Sequence, residues 1–402
     1  MGQAVLACPT SAALHARGAR VCNGRMTKSW ICAAALLLVG GAQAAEYWVY
    51  VAAYPRPVSK GIYAYRFDPG SGKVTPLGVA AVTVNPEDFA VHPNHRVLFV
   101  ANEYDNPGEA GNTVSSFAID AGTGKLTLLN KISARGDGPC SIVVDKTGKN
   151  LLLTNCGSGS VAVLPIATDG RLGEATAFIQ HEGSSVNPMR QKGPHAHGIV
   201  LSPDNRFALV SDLGLDKVLV YRFDAAKGTL APNDPPFAKV APGAGSRHLA
   251  FHPNGKIVYC ISEMASSMTT FEYGASGGTL KEIQTVSTLP ADFKGNNTAA
   301  EVKVNRAGTV LYGSNRGHDS IAVFSIDPRR FTLTPLGYVP TQGKMPRYFG
   351  IDPTGKYVFA ANQGSNNVVV FAVDAKSGKL TPTGTVLTDA PQPLCVAFVE
   401  RK

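Results

Sequence analysis

No sustained helical periodicity follows the N-terminal segment of this 402-residue chain, which argues against a helical bundle. There is no CxxC and no Cys/His metal spacing, so neither a metal site nor any other cofactor is expected. There is no G-x-S-x-G, which removes the main sign of a serine nucleophile elbow. No basic run with interleaved aromatics occurs, and nucleic acid is therefore not an expected partner. Nor is there an apolar run long enough to cross a bilayer. The nearest, Ile31 to Gly41, is preceded by Lys28 and followed by Ala42-Gln43-Ala44, a small-x-small cleavage site. Residues 1–45 therefore read as a secretory signal peptide cleaved near Ala44, with Met26 an alternative true start. The expected mature protein is periplasmic or secreted and free of the membrane. Its net charge falls from +9 to +5, because Arg17, Arg20, Arg25 and Lys28 leave with no acid, and only Cys140, Cys156, Cys260 and Cys395 remain.

What the chain does have is a repeat. An apolar run from Tyr348 to Ile351 leads into the turn Asp352-Pro-Thr-Gly-Lys356. A second run, Tyr357 to Ala361, a polar turn, a third run, Val368 to Val373, and a closing Ser-Gly-Lys-Leu380 follow. That is four short strands in a meander. With Asp352 as origin, equivalent turns begin at Asn305, His252, Ser202, Asp145 and His92, at spacings of 47, 53, 50, 57 and 53 residues. Four-stranded repeats near this length are propeller blades. The ends supply a seventh: Tyr47 to Ala53, Ile62 to Asp68 and Lys73 to Val82 match strands two to four, and Pro393 to Val399 matches the missing first strand. The predicted fold is an all-β, seven-bladed β-propeller over residues 46–402, its first blade closed by the C-terminal strand.

The repeat also locates a site. Residues five before the origin begin each inner strand, and those eleven after it end the second, so both fall at one rim of the ring. The first set is Glu87, Cys140, His197, Arg247, Ala300 and Arg347; the second is Glu103, Cys156, Leu213, Glu263, Arg316 and Gln363, with Tyr54 in blade one. The position ten after the origin is almost always Asn, Asp or Ser, which marks an architectural hydrogen bond into the next loop. The rim positions differ from blade to blade, and the set His197, Arg247, Glu263, Arg316 and Arg347 holds one acid among three arginines, which points to a site for an anion. Cys140 and Cys156 share blade three and are either a cross-strand disulfide or two free thiols.

Gly193-Pro-His-Ala-His-Gly, Ser202-Pro-Asp-Asn-Arg, Asp212-Leu-Gly-Leu-Asp216, Gly243-Ala-Gly-Ser-Arg-His-Leu-Ala-Phe-His-Pro-Asn254 and Ser262-Glu263 resemble the bacterial lactonase propellers. That family includes cycloisomerase-type 6-phosphogluconolactonases and is similar to the carboxymuconate-lactonizing enzymes. The resemblance spans roughly Tyr47 to Val399 and implies a seven-bladed propeller that hydrolyses a small lactone. It implies a catalytic set at His197, Arg247, Glu263 and Arg316. Ala299-Ala-Glu301 matches a further family segment, although strict alternation turns Glu301 away from the axis.

Chemistry agrees with the resemblance. Lactone opening needs a base for water and positive charge for the oxyanion. His197 suits the first and Arg247 and Arg316 the second, with Glu263 orienting Arg247 or sharing proton transfer with His197. Arg347, His195, Glu103 and Gln363 are the expected substrate contacts, and the polar loop Phe178 to Lys192 is expected to overhang the rim. Two other readings stay open: a carboxymuconate-type cycloisomerase, which runs the same chemistry toward closure, and a non-catalytic secreted binding or surface-layer propeller. The sequence says nothing of oligomeric state.

Overall fold

Seven four-stranded antiparallel sheets make up the chain in the computed structural model, which describes residues 45–54, 59–103 and 112–401. The signal-peptide reading lies outside the described residues apart from Ala45. Among those described, no helix is long and apolar enough to cross a membrane.

The first strands of the blades are Pro86–Val91, Pro139–Val144, Ala196–Leu201, Ser246–Phe251, Thr298–Val304, Pro346–Ile351 and Pro393–Glu400. Each packs beside the first strand of the next blade, and Pro393–Glu400 packs against Pro86–Val91, so the circle closes around a central tunnel. The closing strand pairs with Tyr47–Ala53 in blade one, from Tyr47 opposite Glu400 to Ala53 opposite Pro393. The Arg401 amide continues the contact by donating to the Glu46 carbonyl at 2.8 Å.

The second strands carry the core. Val97–Asn102, Asn150–Asn155, Phe207–Asp212 and Ile257–Ser262 are buried along their whole length, because neighbouring blades cover both faces. This is why they read as continuous apolar runs rather than alternating ones. The outermost strands are far less covered: Lys73–Val82 has one buried residue and Thr279–Ser287 has none.

The repeated turn is fixed by its first residue. Asp352 accepts from the amides of Thr354 and Tyr357 at 2.9 and 2.7 Å, and Asp145 accepts from those of Lys149 and Asn150. Gly355 closes the turn at φ 74°, which disfavours a side chain. His92 and His252 do the same work with Nδ1 as acceptor, while Nε2 meets the carbonyls of Gly148 and Gly308 in the next blade. They brace turns at the far rim. The Asn position is architectural, as read from the sequence, but its reach differs. Asn155, Asn315 and Asn362 donate to the carbonyls of Ala134, Thr288 and Thr341, which bring the chain in from the preceding blade. The bond therefore runs back along the chain, not forward into the next loop.

One irregularity recurs where the tunnel opens. In blades two to seven the pairing of first and second strands slips by a bulge, between Pro86 and Asp88, Pro139 and Ser141, Ala196 and Gly198, Ser246 and His248, Ala299 and Val302, and Pro346 and Tyr348. The unpaired residues include Glu87, Cys140, His197, Arg247 and Arg347. A bulge bends its strand and re-aims a side chain. Here it places that residue and the one after it around the same axis.

Candidate active site at the tunnel mouth

Bulged residues from several blades share the mouth. Glu87, Cys140, Arg247 and Arg347, with Leu394 from the closing strand, line one narrow void. Glu263 is the hub of the charged side chains. Its Oε2 accepts from Arg247 Nε at 3.0 Å in the same blade and from Arg316 Nη2 at 2.8 Å in the next. Burial pushes the Glu263 carboxyl up, but Arg316 and Arg247 more than reverse this and hold its pKa at about 2.

Both arginines are further fixed by main chain. Arg247, fully buried, donates from Nη1 to the Ala300 carbonyl at 2.8 Å, and Arg316 Nη2 reaches the Ala299 carbonyl at 3.1 Å. Among the described residues, Arg316 Nη1 and Arg247 Nη2 make no hydrogen bond, which leaves a donor on each guanidinium. Burial, with repulsion from Arg347 on Arg247 and from Arg247 on Arg316, lowers the pKa of both, that of Arg316 to about 10.

Arg347 is differently placed from the free anchor expected of it. Its guanidinium pairs with Glu87 from blade two, through Nε at 3.1 Å and through Nη2. The acid–base balance of the mouth is thus closer than one acid among three arginines. Glu103 lies beside this pair. Burial and the nearby Glu87 raise its pKa to about 8, so it is largely protonated at neutral pH. Gln363 sits half-buried in a short 3-10 turn, Gln363–Ser365, and among the described residues no hydrogen bond joins its side chain to the cluster.

His197 is buried, with Nδ1 4.0 Å from Cys140 Sγ and its ring edge-on to His248 at 5.2 Å. Burial and the positive charge of Arg247 push its pKa well below 6.5, so the imidazole is neutral. His195 is half-buried and sits 2.7 Å from the Cys156 carbonyl through Nδ1, which fixes that nitrogen as the N–H donor. A hydrogen bond with the Cys156 side chain raises its pKa despite partial burial. The two thiols are free, so the disulfide reading does not hold here. Cys140, buried, is pushed up, whereas the Cys140 hydrogen bond lowers Cys156. The donor atoms of Cys140, Cys156 and His197 all lie within 4.8 Å of one another, a grouping invisible to sequence spacing.

Glu301 also departs from expectation: it lines the tunnel. Because of the bulge at Ala300, both residues escape strict alternation. Glu301 Oε2 meets His248 Nδ1 at 3.0 Å and Oε1 meets Lys303 at 3.3 Å. Asp88, His248, Glu301, Lys303 and Tyr348 border a cavity of ≈ 150 Å³ below the mouth. His248 Nε2 stands 3.2 Å from Arg247 Nη1 and so connects this lower layer to the upper one. Sequence reasoning missed this layer, along with Arg190, whose charge helps lower Glu263 and Cys156.

Arg190 belongs to the loop after Phe178, which is held firmly. Buried Gln191 donates to the Leu213 carbonyl at 2.8 Å and to Asp216 at 2.9 Å, and Ser185 donates to Asp216 at 2.5 Å. Asp216 also takes the amides of Gly243 and Gly245, so Asp212 to Asp216 serves as a turn and loop anchor.

Comparison with known proteins agrees with this architecture. The family model described as "Lactonase, 7-bladed beta-propeller" matches residues 48–398. A 6-phosphogluconolactonase of Bacillus subtilis is 34% identical over 309 residues, covering 77% of this chain and 86% of the relative. A 6-phosphogluconolactonase of Formosa agariphila is 31% identical over 300 residues, 74% of this chain and 84% of the relative. The solved periplasmic gluconolactonase of Pseudomonas aeruginosa superposes with a TM-score of 0.83 at 34% identity, covering 89% of this chain and all of that one. The chain belongs to the lactonase family of seven-bladed β-propellers.

Proposed function

We propose that this lactonase hydrolyses a small sugar-acid lactone of the gluconolactone type at the tunnel mouth. The observation that carries the reading is one carboxylate, Glu263, holding two buried arginines beside a neutral imidazole. Water deprotonated by His197 attacks the lactone carbonyl carbon. The spare donors of Arg316 and Arg247 meet the oxyanion as it forms. Collapse of the tetrahedral species breaks the ring C–O bond, and Glu103, protonated at neutral pH, supplies the leaving alkoxide with a proton. Arg347, tied to Glu87, holds this acidic side of the mouth in place, and His195 contacts the substrate.

The periplasmic relative and the signal-like N-terminus favour an unphosphorylated lactone reaching the site outside the cytoplasm. The Arg190 charge favours the 6-phosphate ester as the competing substrate. A pH-stat comparison separates them: kcat/KM on gluconolactone is expected to equal or exceed that on the 6-phosphate. A strong preference for the phosphate ester reverses the assignment, and no turnover of either removes it.

The pH dependence tests the roles. A base must be deprotonated, and His197 stays so well below pH 6.5, so kcat/KM should hold level from neutral pH into mild acid. The proton donor is lost as pH rises through about 8, so activity should fall on the alkaline side. Glu103→Gln should flatten that alkaline limb and lower the plateau. An acid limb lying above pH 6.5 would instead assign the base to His195, whose pKa is raised.

A further inference from the structure

The bulges of blades three and four aim Cys140 and His197 at one point, and Cys156 arrives there from the end of Asn150–Asn155. We propose that Cys140, Cys156 and His197 form a binding site for a thiophilic cation of the Zn²⁺ class, with water in a fourth position at the tunnel mouth.

The geometry is close to what such an ion needs. Zn–S near 2.3 Å and Zn–N near 2.0–2.1 Å put tetrahedral ligand atoms about 3.5–3.8 Å apart. Here Cys140 Sγ and His197 Nδ1 are 4.0 Å apart, and all three donor atoms fall within 4.8 Å. Closing onto the ion therefore takes shifts of roughly 1 Å or less per edge. Charge is also balanced. Two thiols lose their protons to solvent, two metal–sulfur bonds and one metal–nitrogen bond form, and the ion with two thiolates is neutral. A neutral cluster avoids placing net charge among buried groups. Two thiolates and one imidazole are moreover a soft set, suited to Zn²⁺ and unsuited to Mg²⁺ or Ca²⁺.

Binding would compete with lactone hydrolysis. A neutral imidazole has one lone pair; once Nδ1 gives it to the metal, the other nitrogen is an N–H and accepts no proton. This inhibition rests on the base assignment above, whereas binding itself does not.

The test uses the mature protein, freed of metal by a chelator and titrated with Zn²⁺ against a chromophoric chelator. One equivalent is expected to bind, and Cys140→Ser and Cys156→Ser should each weaken it by about 100-fold or more, since even partners outside the ligand shell cost 10–100-fold. Cd²⁺ should give thiolate charge-transfer absorbance in the wild type alone. A second measurement needs no variant. Cys156 is the one partly exposed cysteine of the four, so its labelling by a maleimide should be suppressed by Zn²⁺. Zn²⁺ binding equally well to both serine variants, or maleimide labelling unaffected by Zn²⁺, overturns the proposal. Loss of Zn²⁺ inhibition with binding intact overturns only the role of His197 as base.

Discussion

His197→Ala is expected to lower kcat about 10²–10⁴-fold, the usual cost of removing a general base, which corresponds to about 3–5 kcal/mol of transition-state stabilisation. KM should change little, because the imidazole is buried and the proposed substrate contacts are made by other residues, Arg347 and His195 among them. Steady-state kinetics on the active lactone, with the melting temperature measured alongside, separate lost chemistry from lost structure. His195→Ala serves as the internal control, with a smaller loss and a rise in KM. Wild-type turnover in His197→Ala would remove the imidazole from the mechanism, and a larger loss in His195→Ala would move the role two residues along the chain.

Deleting Gln392 to Lys402 should abolish the cooperative melting transition of the ring. The deletion takes away the whole inner strand of blade one and exposes the pairing edge of Tyr47–Ala53. Leu394, Val396 and Val399 are each at most 3% exposed. Burying such side chains stabilises by about 1.5–3 kcal/mol each, so the three contribute roughly 5–9 kcal/mol before any hydrogen bond is considered. That is of the same order as the whole stability of a typical domain, about 5–15 kcal/mol. Phe398 is lost as well, and it packs edge-on to Phe359 of blade seven at 5.2 Å, so two blades are damaged at once. Calorimetry decides the matter. A truncated protein that melts at the full-length temperature would mean the closing strand is dispensable.

The ring was legible in the sequence because its signals are local. Turns such as Asp352 to Lys356 need particular residues at particular offsets, and the buried second strands need unbroken apolar runs, so both survive as repeats. The convergence of Arg247, Glu263 and Arg316 was legible for the same reason, since repeat position reports height along the tunnel. What could not be read is whatever depends on the bulge. Strict alternation sends Glu301 outward, but an extra residue in the strand brings it to the tunnel, where it meets His248. A hint exists in hindsight: left-handed Asn85, Gly138, Met345 and Gln392 each stand just before the proline that opens an inner strand. The pairing of Arg347 with Glu87 escaped because the partners are 260 residues apart and meet across the ring rather than within a blade. The Cys140, Cys156 and His197 cluster escaped because two blades supply it.

The recurring bulge has a consequence for how such a ring can diversify. Each inner strand presents two successive residues to the axis, one at the lip and one in the shaft: Cys140 above Ser141, His197 above Gly198, Arg247 above His248 and Arg347 above Tyr348. In the proposed reading the lip residues meet the substrate, and beneath them Glu301 ties His248 and Lys303 into an ion-paired floor. A single codon change can therefore rewrite what the lip recognises while the floor, encoded by the neighbouring codon, keeps the assembly rigid. With the same slip in every blade, at Leu394 in blade one, drift in substrate preference needs no insertion, no loop exchange and no change in strand number.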